Sequence, residues 1–160
     1  MKRVDRIWRH PDYQKCLHRI EELEKNREFC RHDRNHFLDV ARLAYIEDLE
    51  MGYGISKEWI YACGLLHDIG RHLQYEEGIP HHEASARIAG PILEECGFEK
   101  EEIQEILEAI LAHRDAGTKE SAGLSGLIYR ADKASRSCFA CESEAACNWP
   151  AQKKNLELKI

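Results

Sequence analysis

The chain has 160 residues, of which 43% are hydrophobic and 32% are charged, and its formal net charge is -6. This length suits one domain with a real core. The negative charge argues weakly against a large nucleic-acid interface, because a phosphate backbone favours a basic face. No apolar stretch is long enough to cross a bilayer, and residues 1–13 lack the apolar core of a signal peptide. We therefore expect a cytoplasmic protein that binds neither a membrane nor a nucleic-acid duplex, while a local basic pocket for phosphate stays open.

Apolar residues recur at helical spacing along the chain, and no segment alternates in the manner of a strand. Glycines and polar stretches separate the helical segments, and two such stretches, 71–80 and 114–120, are predicted as loops. The spacing predicts six helices, at about 12–27, 33–51, 56–68, 81–96, 100–113 and 121–133. The expected fold is therefore all-α.

The seven cysteines fall into two groups. Their number is odd, and in a reducing compartment they are expected to be thiols or metal ligands. Four are scattered, whereas Cys138, Cys141 and Cys147 lie within ten residues near the C-terminus. These three could form part of a metal or redox site, for which no fourth ligand stands nearby in the sequence, or could help the tail to pack. We expect a helical domain over 1–137 and a cysteine-containing tail over 138–160.

Histidines and aspartates stand at helix ends or on apolar faces, and almost every one comes from a different predicted helix. They are His36, His67, Asp68, His81 or His82, His113 and Asp132. Helical bundles build metal sites from inward side chains on facing helices. Imidazole and carboxylate together suit divalent transition metals. Six ligands are too many for one tetrahedral zinc with an open position, so the pattern indicates two metal ions.

The order of His36, the His67-Asp68 pair and Asp132 resembles the H…HD…D signature of the HD-domain superfamily of metal-dependent phosphohydrolases. The resemblance covers about residues 31–136 and implies an HD-domain-like helical bundle of about six helices. The stretches HHEASA at 81–86 and ILAHR at 110–114 resemble the two further histidines of the branch that binds two metals. In that register His81 is a better ligand than His82, and His32 is expected at the surface.

The resemblance also implies roles for these residues. The first metal would be held by His36, His67, Asp68 and Asp132, and the second by Asp68 as a bridge together with His81 and His113. The ions would be divalent transition metals, most readily iron or manganese, with zinc, cobalt and nickel as alternatives. Arg71 occupies a position that faces the substrate phosphate in the family, and Lys133 and Arg136 flank Asp132 where they could also meet phosphate oxygens.

The activity that the resemblance implies is metal-dependent hydrolysis of a phosphate ester or anhydride through a metal-bridging hydroxide. Asp68, Arg71 and Lys133 are the residues expected to act in that reaction, on a small phosphorylated molecule or a nucleotide. Two other interpretations stay open. The same six ligands occur in di-iron oxygenases of the HD-domain type, and a non-catalytic, metal-stabilised binding or regulatory module would also need them. The sequence leaves the oligomeric state open.

Overall fold

The computed structural model describes residues 1–158, and every regular element in that range is helical. Eight α-helices are joined by turns and by four short 3-10 helices. The α-helices are α1 (Lys2–Arg9), α2 (Pro11–Leu23), α3 (Arg34–Met51), α4 (Lys57–Leu66), α5 (Arg71–Glu77), α6 (His81–Glu95), α7 (Lys100–Ala112) and α8 (Leu124–Ala134). The all-helical class is confirmed, with two α-helices more than the sequence pattern predicts.

The two additional helices, α1 and α5, are short. Helix α1 buries only Val4 and Ile7, and arginines fill much of the rest of it. Helix α5 buries no residue completely, so it carries no apolar stripe that a period of 3.6 residues could reveal. The prediction of a loop over 71–80 is therefore wrong for residues 71–77, and Gly78, with a φ of 73°, ends the helix.

Helix α4 lies at the centre of the bundle. It contacts α1, α3, α6, α7 and α8, and Ile60, Leu65 and Leu66 are at most 2% exposed. A helix that is apolar on all sides is stable only when other elements surround it. Its C-terminal end therefore delivers the following residues, His67 and Asp68, into the interior.

Two glycines allow the helices around this end to approach closely. A Cβ on Gly64 would lie 2.7 Å from Cβ of Ala41, which fixes the crossing of α4 and α3. A Cβ on Gly70 would lie 2.3 Å from the backbone nitrogen of Ser85 in α6. The Gly70 N–H also donates a hydrogen bond of 2.9 Å to Oγ of Ser85. The turn after Asp68 is therefore held tightly against α6.

Capping interactions set where two of the helices begin. The Asp33 carboxylate accepts hydrogen bonds from the backbone N–H groups of Asn35 and His36, which starts α3 and places His36 in its first turn. Glu99 and Glu102 form a capping box at the start of α7. These local signals determine the register in which each helix presents its polar residues to the centre.

The segment after α8 consists of turns and the 3-10 helices Cys138–Ala140, Glu144–Ala146 and Ala151–Lys153. A domain boundary between 137 and 138 stays a prediction, and residues 159 and 160 of the predicted tail lie outside the described residues. Within residues 1–158, none of the helices combines the length and the apolar character that a membrane crossing requires.

Candidate metal centre

The six residues predicted as metal ligands are buried together at the centre of the bundle. Each has between 0% and 6% of its surface exposed. Five helices supply them, each at or near a helix end. They are His36 of α3, His67 and Asp68 directly after α4, His81 at the start of α6, His113 directly after α7 and Asp132 of α8. The fold thus unites side chains from five separate segments of the chain.

Four of these side chains form a first group around two carboxylates, and their ligand atoms lie within 4.8 Å of one another. Nε2 of His36 is 3.5 Å from Oδ1 of Asp132, and Nε2 of His67 is 3.5 Å from Oδ2 of Asp68. Atoms that each lie 2.0–2.2 Å from one transition-metal ion stand roughly 3–3.5 Å apart. The spacing of this first group therefore suits a single ion.

A second group lies on the other side of Asp68. Oδ1 of Asp68 is 3.1 Å from Nε2 of His81 and 3.5 Å from Nε2 of His113. Because Oδ2 of the same carboxylate faces the first group, Asp68 presents one oxygen to each group. This is the arrangement expected of a carboxylate that bridges two metal ions.

Backbone carbonyls orient the two histidines that follow helices. Nδ1 of His67 donates a hydrogen bond of 2.8 Å to the carbonyl of Gly64, and Nδ1 of His113 donates one of 2.6 Å to the carbonyl of Ile110. Each bond runs back three residues along the chain, as the last turn of a helix permits. It holds the proton on Nδ1 and leaves the lone pair of Nε2 facing the centre.

Side chains, instead of backbone carbonyls, orient the other two histidines, again through a hydrogen bond at Nδ1. Nδ1 of His36 is 3.1 Å from Oγ of Ser135, whose hydroxyl donates to the carbonyl of Asp132. Nδ1 of His81 is bonded to the side-chain oxygen of Gln74. All four imidazoles therefore direct Nε2 towards the carboxylates, and partners of this kind are typical around metal-bound histidines.

Two atoms of the centre have no hydrogen-bond partner within the described residues, namely Nε2 of His67 and Oδ1 of Asp68. Leaving buried polar atoms unpaired is costly. With their protons on Nδ1, the Nε2 atoms of His81 and His113 are acceptors as well, so they cannot donate to the Asp68 carboxylate. Acceptors that face one another across such short distances fit a cation between them.

The protonation states also suit a metal ion. Burial lowers the pKa of His67 to about 4 and that of His81 to about 3, and it holds the pKa of His36 well below its usual value. The pKa of Asp132 is lowered, because Lys133 and neighbouring cations outweigh its burial. Neutral imidazoles and ionised carboxylates are the forms that bind divalent cations.

His113 and Asp68 influence one another. Burial alone would lower the pKa of His113, but the adjacent Asp68 carboxylate outweighs it and raises that pKa. Burial likewise opposes ionisation of Asp68, yet the surrounding histidines hold its pKa well below the usual value. Among the four histidines of the centre, His113 is therefore the one whose pKa is raised.

The basic residues expected to meet phosphate lie beside the centre. Nη1 of Arg71 is 3.0 Å from Nδ1 of His81, and its Nε donates a hydrogen bond of 3.2 Å to the hydroxyl of Tyr75. The ammonium of Lys133 is paired with Oδ2 of Asp132. Nη2 of Arg136 lies 3.4 Å from Oδ1 of the same aspartate. Positive charge is thus concentrated at the rim of the two ligand groups.

His32 was expected at the surface, and this expectation is wrong, because only 5% of the residue is exposed. Its Nδ1 donates a hydrogen bond of 2.7 Å to Glu24, and its Nε2 lies 3.6 Å from Oδ2 of Asp68. His32 precedes α3, so its distance of four residues from His36 does not place it on that helix. In the sequence, only the His-x-x-x-His spacing indicated that His32 and His36 could lie at the same site.

Glu24, Gln74 and Tyr75 are further residues of the site that the sequence did not reveal. The hydroxyl of Tyr75 donates to Glu24 at 2.5 Å. Burial opposes ionisation of Glu24, but the hydrogen bond to His32 outweighs burial and lowers the pKa of Glu24 to about 2. Gln74 and Tyr75 belong to α5, the segment predicted as a loop, so no periodic pattern indicated that their polar atoms contact the site.

His82, the alternative to His81, lies outside the second group. Its side chain is 27% exposed, and its Nε2 is 3.9 Å from the Glu83 carboxylate. The first residue of α6, His81, is therefore buried among the ligand atoms, whereas the second, His82, is partly exposed and belongs to neither group.

Two cavities border α2. A small one, of about 210 Å³, is lined by His32, Glu24, Glu21, Arg31 and Asp33 and so reaches the layer directly outside Asp68. A larger cleft of about 630 Å³ lies between α2, α5 and α6 and contains none of the six ligand candidates. Of these two cavities, the small one adjoins the metal centre.

An all-helical bundle with two buried ligand groups that share one aspartate is the architecture of a metal-binding helical domain. The family model described as "HD domain" matches residues 34–137, which include all six ligand candidates. The chain belongs to the HD-domain family.

The chain is also similar to proteins of known sequence. It is 45% identical over 158 residues to a protein of Clostridium beijerinckii that is described as uncharacterized, and the match covers 99% of both chains. It is 29% identical over 148 residues to Ribonuclease Y of Enterococcus faecalis and 30% identical over 148 residues to Ribonuclease Y of Nitratidesulfovibrio vulgaris. These matches cover 92% of this chain but only 26% of each ribonuclease. No solved structure matches the chain.

Proposed function

We propose that this protein is a metal-dependent phosphohydrolase that cleaves a phosphate ester or anhydride of a small molecule or nucleotide. The observation that carries the proposal is the position of Asp68. Its two oxygens face two separate groups of buried ligand atoms, with the guanidinium of Arg71 beside the second group. Membership of a family whose members are generally hydrolases supports the same conclusion.

The two ligand groups would hold two divalent transition-metal ions, with Asp68 shared between them. Nitrogen and oxygen ligands suit iron and manganese, and zinc, cobalt or nickel would also be accepted. When bound, such ions act as Lewis acids and lower the pKa of a bound water towards neutrality. The fold contributes a buried, preorganised ligand set in which all four imidazoles are aimed inwards, and burial keeps His36, His67 and His81 neutral.

Arg71 would bind the substrate phosphate. Its guanidinium has five N–H groups in a planar fork. Within the described residues, Nε donates to the hydroxyl of Tyr75, and Nη1 lies 3.5 Å from Nε2 of His81. Lys133 would add a second positive charge at the opposite carboxylate, Asp132. Both groups would stabilise charge that develops on the non-bridging phosphate oxygens.

The concentration of Arg71, Lys133 and Arg136 around one centre supports a small anionic substrate in a chain whose net charge is -6. A duplex nucleic acid would need a wider basic face. A cytoplasmic location fits seven cysteines that are all free. The two relatives that are named ribonucleases make a phosphodiester a reasonable second bond type for the substrate screen.

The test starts with anaerobically purified protein, analysed for bound metals and then screened against nucleotides, phosphate monoesters and phosphodiesters with the metal that is found. The double variant His67→Ala/Asp68→Ala should lose metal and phosphate release together. The matched control is His18→Ala, since the side chain of His18 is 74% exposed. A double variant that binds metal as well as the wild type would refute the proposed centre. Oxygen consumption without phosphate release would instead identify a di-iron oxygenase, and no turnover with any metal would favour a binding module.

A further inference from the structure

Four cysteines from two distant parts of the chain lie near the end of the bundle where α3 begins and α8 ends. One precedes α3, and the other three belong to the tail after α8. They are Cys30, Cys138, Cys141 and Cys147, and they are called the cysteine cluster below. The metal centre uses none of them.

A hydrogen bond joins the two parts of the chain. Nη1 of Arg136 donates to the carbonyl of Arg31 at 3.3 Å, and Arg31 directly follows Cys30. The chain then turns, with the N–H of Cys138 donating to the carbonyl of Arg136 at 3.0 Å. Burial raises the pKa of the Cys30 thiol, and the thiols of Cys138 and Cys141 add to that increase, as neighbouring groups do.

Cys147 is brought to the same place by Lys154. The ammonium of Lys154 donates to the backbone carbonyl of Glu144 at 2.9 Å and to its carboxylate at 2.7 Å. The Glu144 carboxylate is the main cause of the raised pKa of Lys154, and the thiols of Cys147 and Cys138 contribute in the same direction. The N–H of Cys147 donates to the same Glu144 carbonyl at 3.1 Å, so Lys154 and Cys147 share one acceptor.

The tail has ordered turns but almost no core. The N–H of Cys141 donates to the carbonyl of Cys138 at 3.2 Å, and the N–H of Cys147 donates to the carbonyl of Glu144 at 3.1 Å, so a cysteine closes each turn. Cys138 is the one buried hydrophobic residue of the described tail, and Phe139 is 47% exposed. Hydrophobic burial alone cannot hold so small a segment, and segments of this kind commonly depend on a bound metal.

Two cations lie near the cysteine cluster. Arg136 acts to lower the pKa of the Cys30 thiol, against the larger effect of burial, and Lys154 binds the Glu144 carbonyl that the N–H of Cys147 also binds. Four thiolates are the ligand set of structural zinc ions and of iron–sulfur clusters. In the described chain, no group of three or more ligand residues with atoms within 4.8 Å of one another contains a cysteine, so a single zinc ion would require the thiols to move closer together.

We propose that the cysteine cluster is a four-thiolate metal site, for an iron–sulfur cluster or a zinc ion, that fastens the tail to the start of α3. The fourth ligand is Cys30, which lies 108 positions before Cys138 and which the spacing of the tail cysteines does not indicate. Because His36 lies in the first turn of α3 and α8 carries Asp132, the site would also brace two helices of the metal centre.

The experiment counts metal in a chain that lacks the histidine centre. In the His67→Ala/Asp68→Ala background, anaerobically purified protein should keep either one zinc per chain or iron with an equal amount of inorganic sulfide. Sulfide and visible charge-transfer absorbance distinguish the iron–sulfur form from zinc. Replacing Cys30 or Cys141 by alanine in that background should remove this metal. The matched control is Cys16→Ala, because Cys16 is also partly exposed but lies in α2.

A second measurement does not depend on the folding of variants. In wild-type protein, the four thiols should resist alkylation until a chelator is added, and mass spectrometry should locate the newly modified cysteines at Cys30, Cys138, Cys141 and Cys147. Metal retention by the Cys30→Ala variant would overturn the proposal. So would equal alkylation of these thiols with and without the chelator, or disulfides among them in anaerobic protein.

Discussion

At the scale of single residues, each predicted metal ligand is held in place by a second residue that contacts it. His32 illustrates this, because it touches Asp68 and is held in turn by Glu24. The carboxylate of Glu24 is 3% exposed, so its stabilisation depends on the groups that contact it. Buried pairs of this kind are costly to break, since removal of one partner leaves the other unpaired.

We expect His32→Ala to lower the free energy of unfolding by about 3 kcal/mol, because the buried Glu24 carboxylate loses its main partner. The double variant His32→Ala/Glu24→Gln should recover part of this loss, since no buried charge is then left. Urea unfolding of both variants measures the effect. If the two substitutions instead lower the free energy of unfolding additively, the two residues do not act as a pair.

Arg71 provides a second residue-scale prediction, which rests on the proposed phosphohydrolase activity. Arg71→Ala should reduce kcat/KM by about 100- to 1000-fold, the usual effect of removing one group that stabilises transition-state charge. Its metal content should stay that of the wild type, because Arg71 lies outside both ligand groups. Arg87→Ala, at an exposed position of α6, is the control. A loss of metal equal to the loss of activity would assign Arg71 a structural role instead.

At the scale of the helices, the centre depends on how closely α3, α4 and α6 approach one another. Gly64 lets α4 lie directly on Ala41 of α3, whereas Gly90 of α6 faces open space apart from one side-chain atom of Leu107 at 3.8 Å. The two glycines are both helical, so they share the same cost in helix propensity. They differ only in the room for a methyl group.

Gly64→Ala should therefore destabilise the protein by about 1–3 kcal/mol, because the added methyl group forces α3 and α4 apart. Gly90→Ala should stabilise it by about 0.5–1 kcal/mol, since alanine restricts the unfolded chain and meets no obstacle. Thermal unfolding of the two variants beside the wild type gives the comparison. If Gly64→Ala leaves the stability of the protein unchanged or increases it, α3 and α4 are not in tight contact.

At the scale of the whole molecule, the buried histidines link stability to pH. Burial lowers the pKa of His67 to about 4 and that of His81 to about 3, from an ordinary value of 6.5. The unfolded chain therefore binds protons in a range where the folded chain does not. The contribution of His67 and His81 to the free energy of unfolding is fully present above pH 6.5, and it is lost as the pH falls towards 4. His113, with its raised pKa, acts in the opposite direction.

For the metal-free protein, we expect the free energy of unfolding to fall between pH 6.5 and pH 4, by about 1.4 kcal/mol per pH unit for each histidine that stays neutral only in the fold. The opposing effect of His113 reduces the total. Chemical denaturation at a series of pH values measures the slope of the unfolding free energy against pH. In the His67→Ala variant, this slope should correspond to about one proton fewer taken up on unfolding. A stability that rises on acidification would contradict the assigned direction.

The sequence by itself determined the helical class and the identity of the ligand candidates. Long periodic segments such as α3 and α7 could be predicted because each buries one face, and adjacent polar residues such as His67 and Asp68 stand out at the end of an apolar helix. Helices α1 and α5 could not be predicted, because short helices that bury little have no periodic pattern.

Only the tertiary structure decided which polar residues share a site. It showed that Asp68 presents one oxygen to each ligand group and that His32 turns inwards to Glu24. It also joined Arg31, the residue after Cys30, to Arg136 at the start of the tail. The physical reason is the same in each case. Spacing along a helix specifies a face, but contacts between segments far apart in sequence depend on how whole helices pack, and no local pattern encodes that packing.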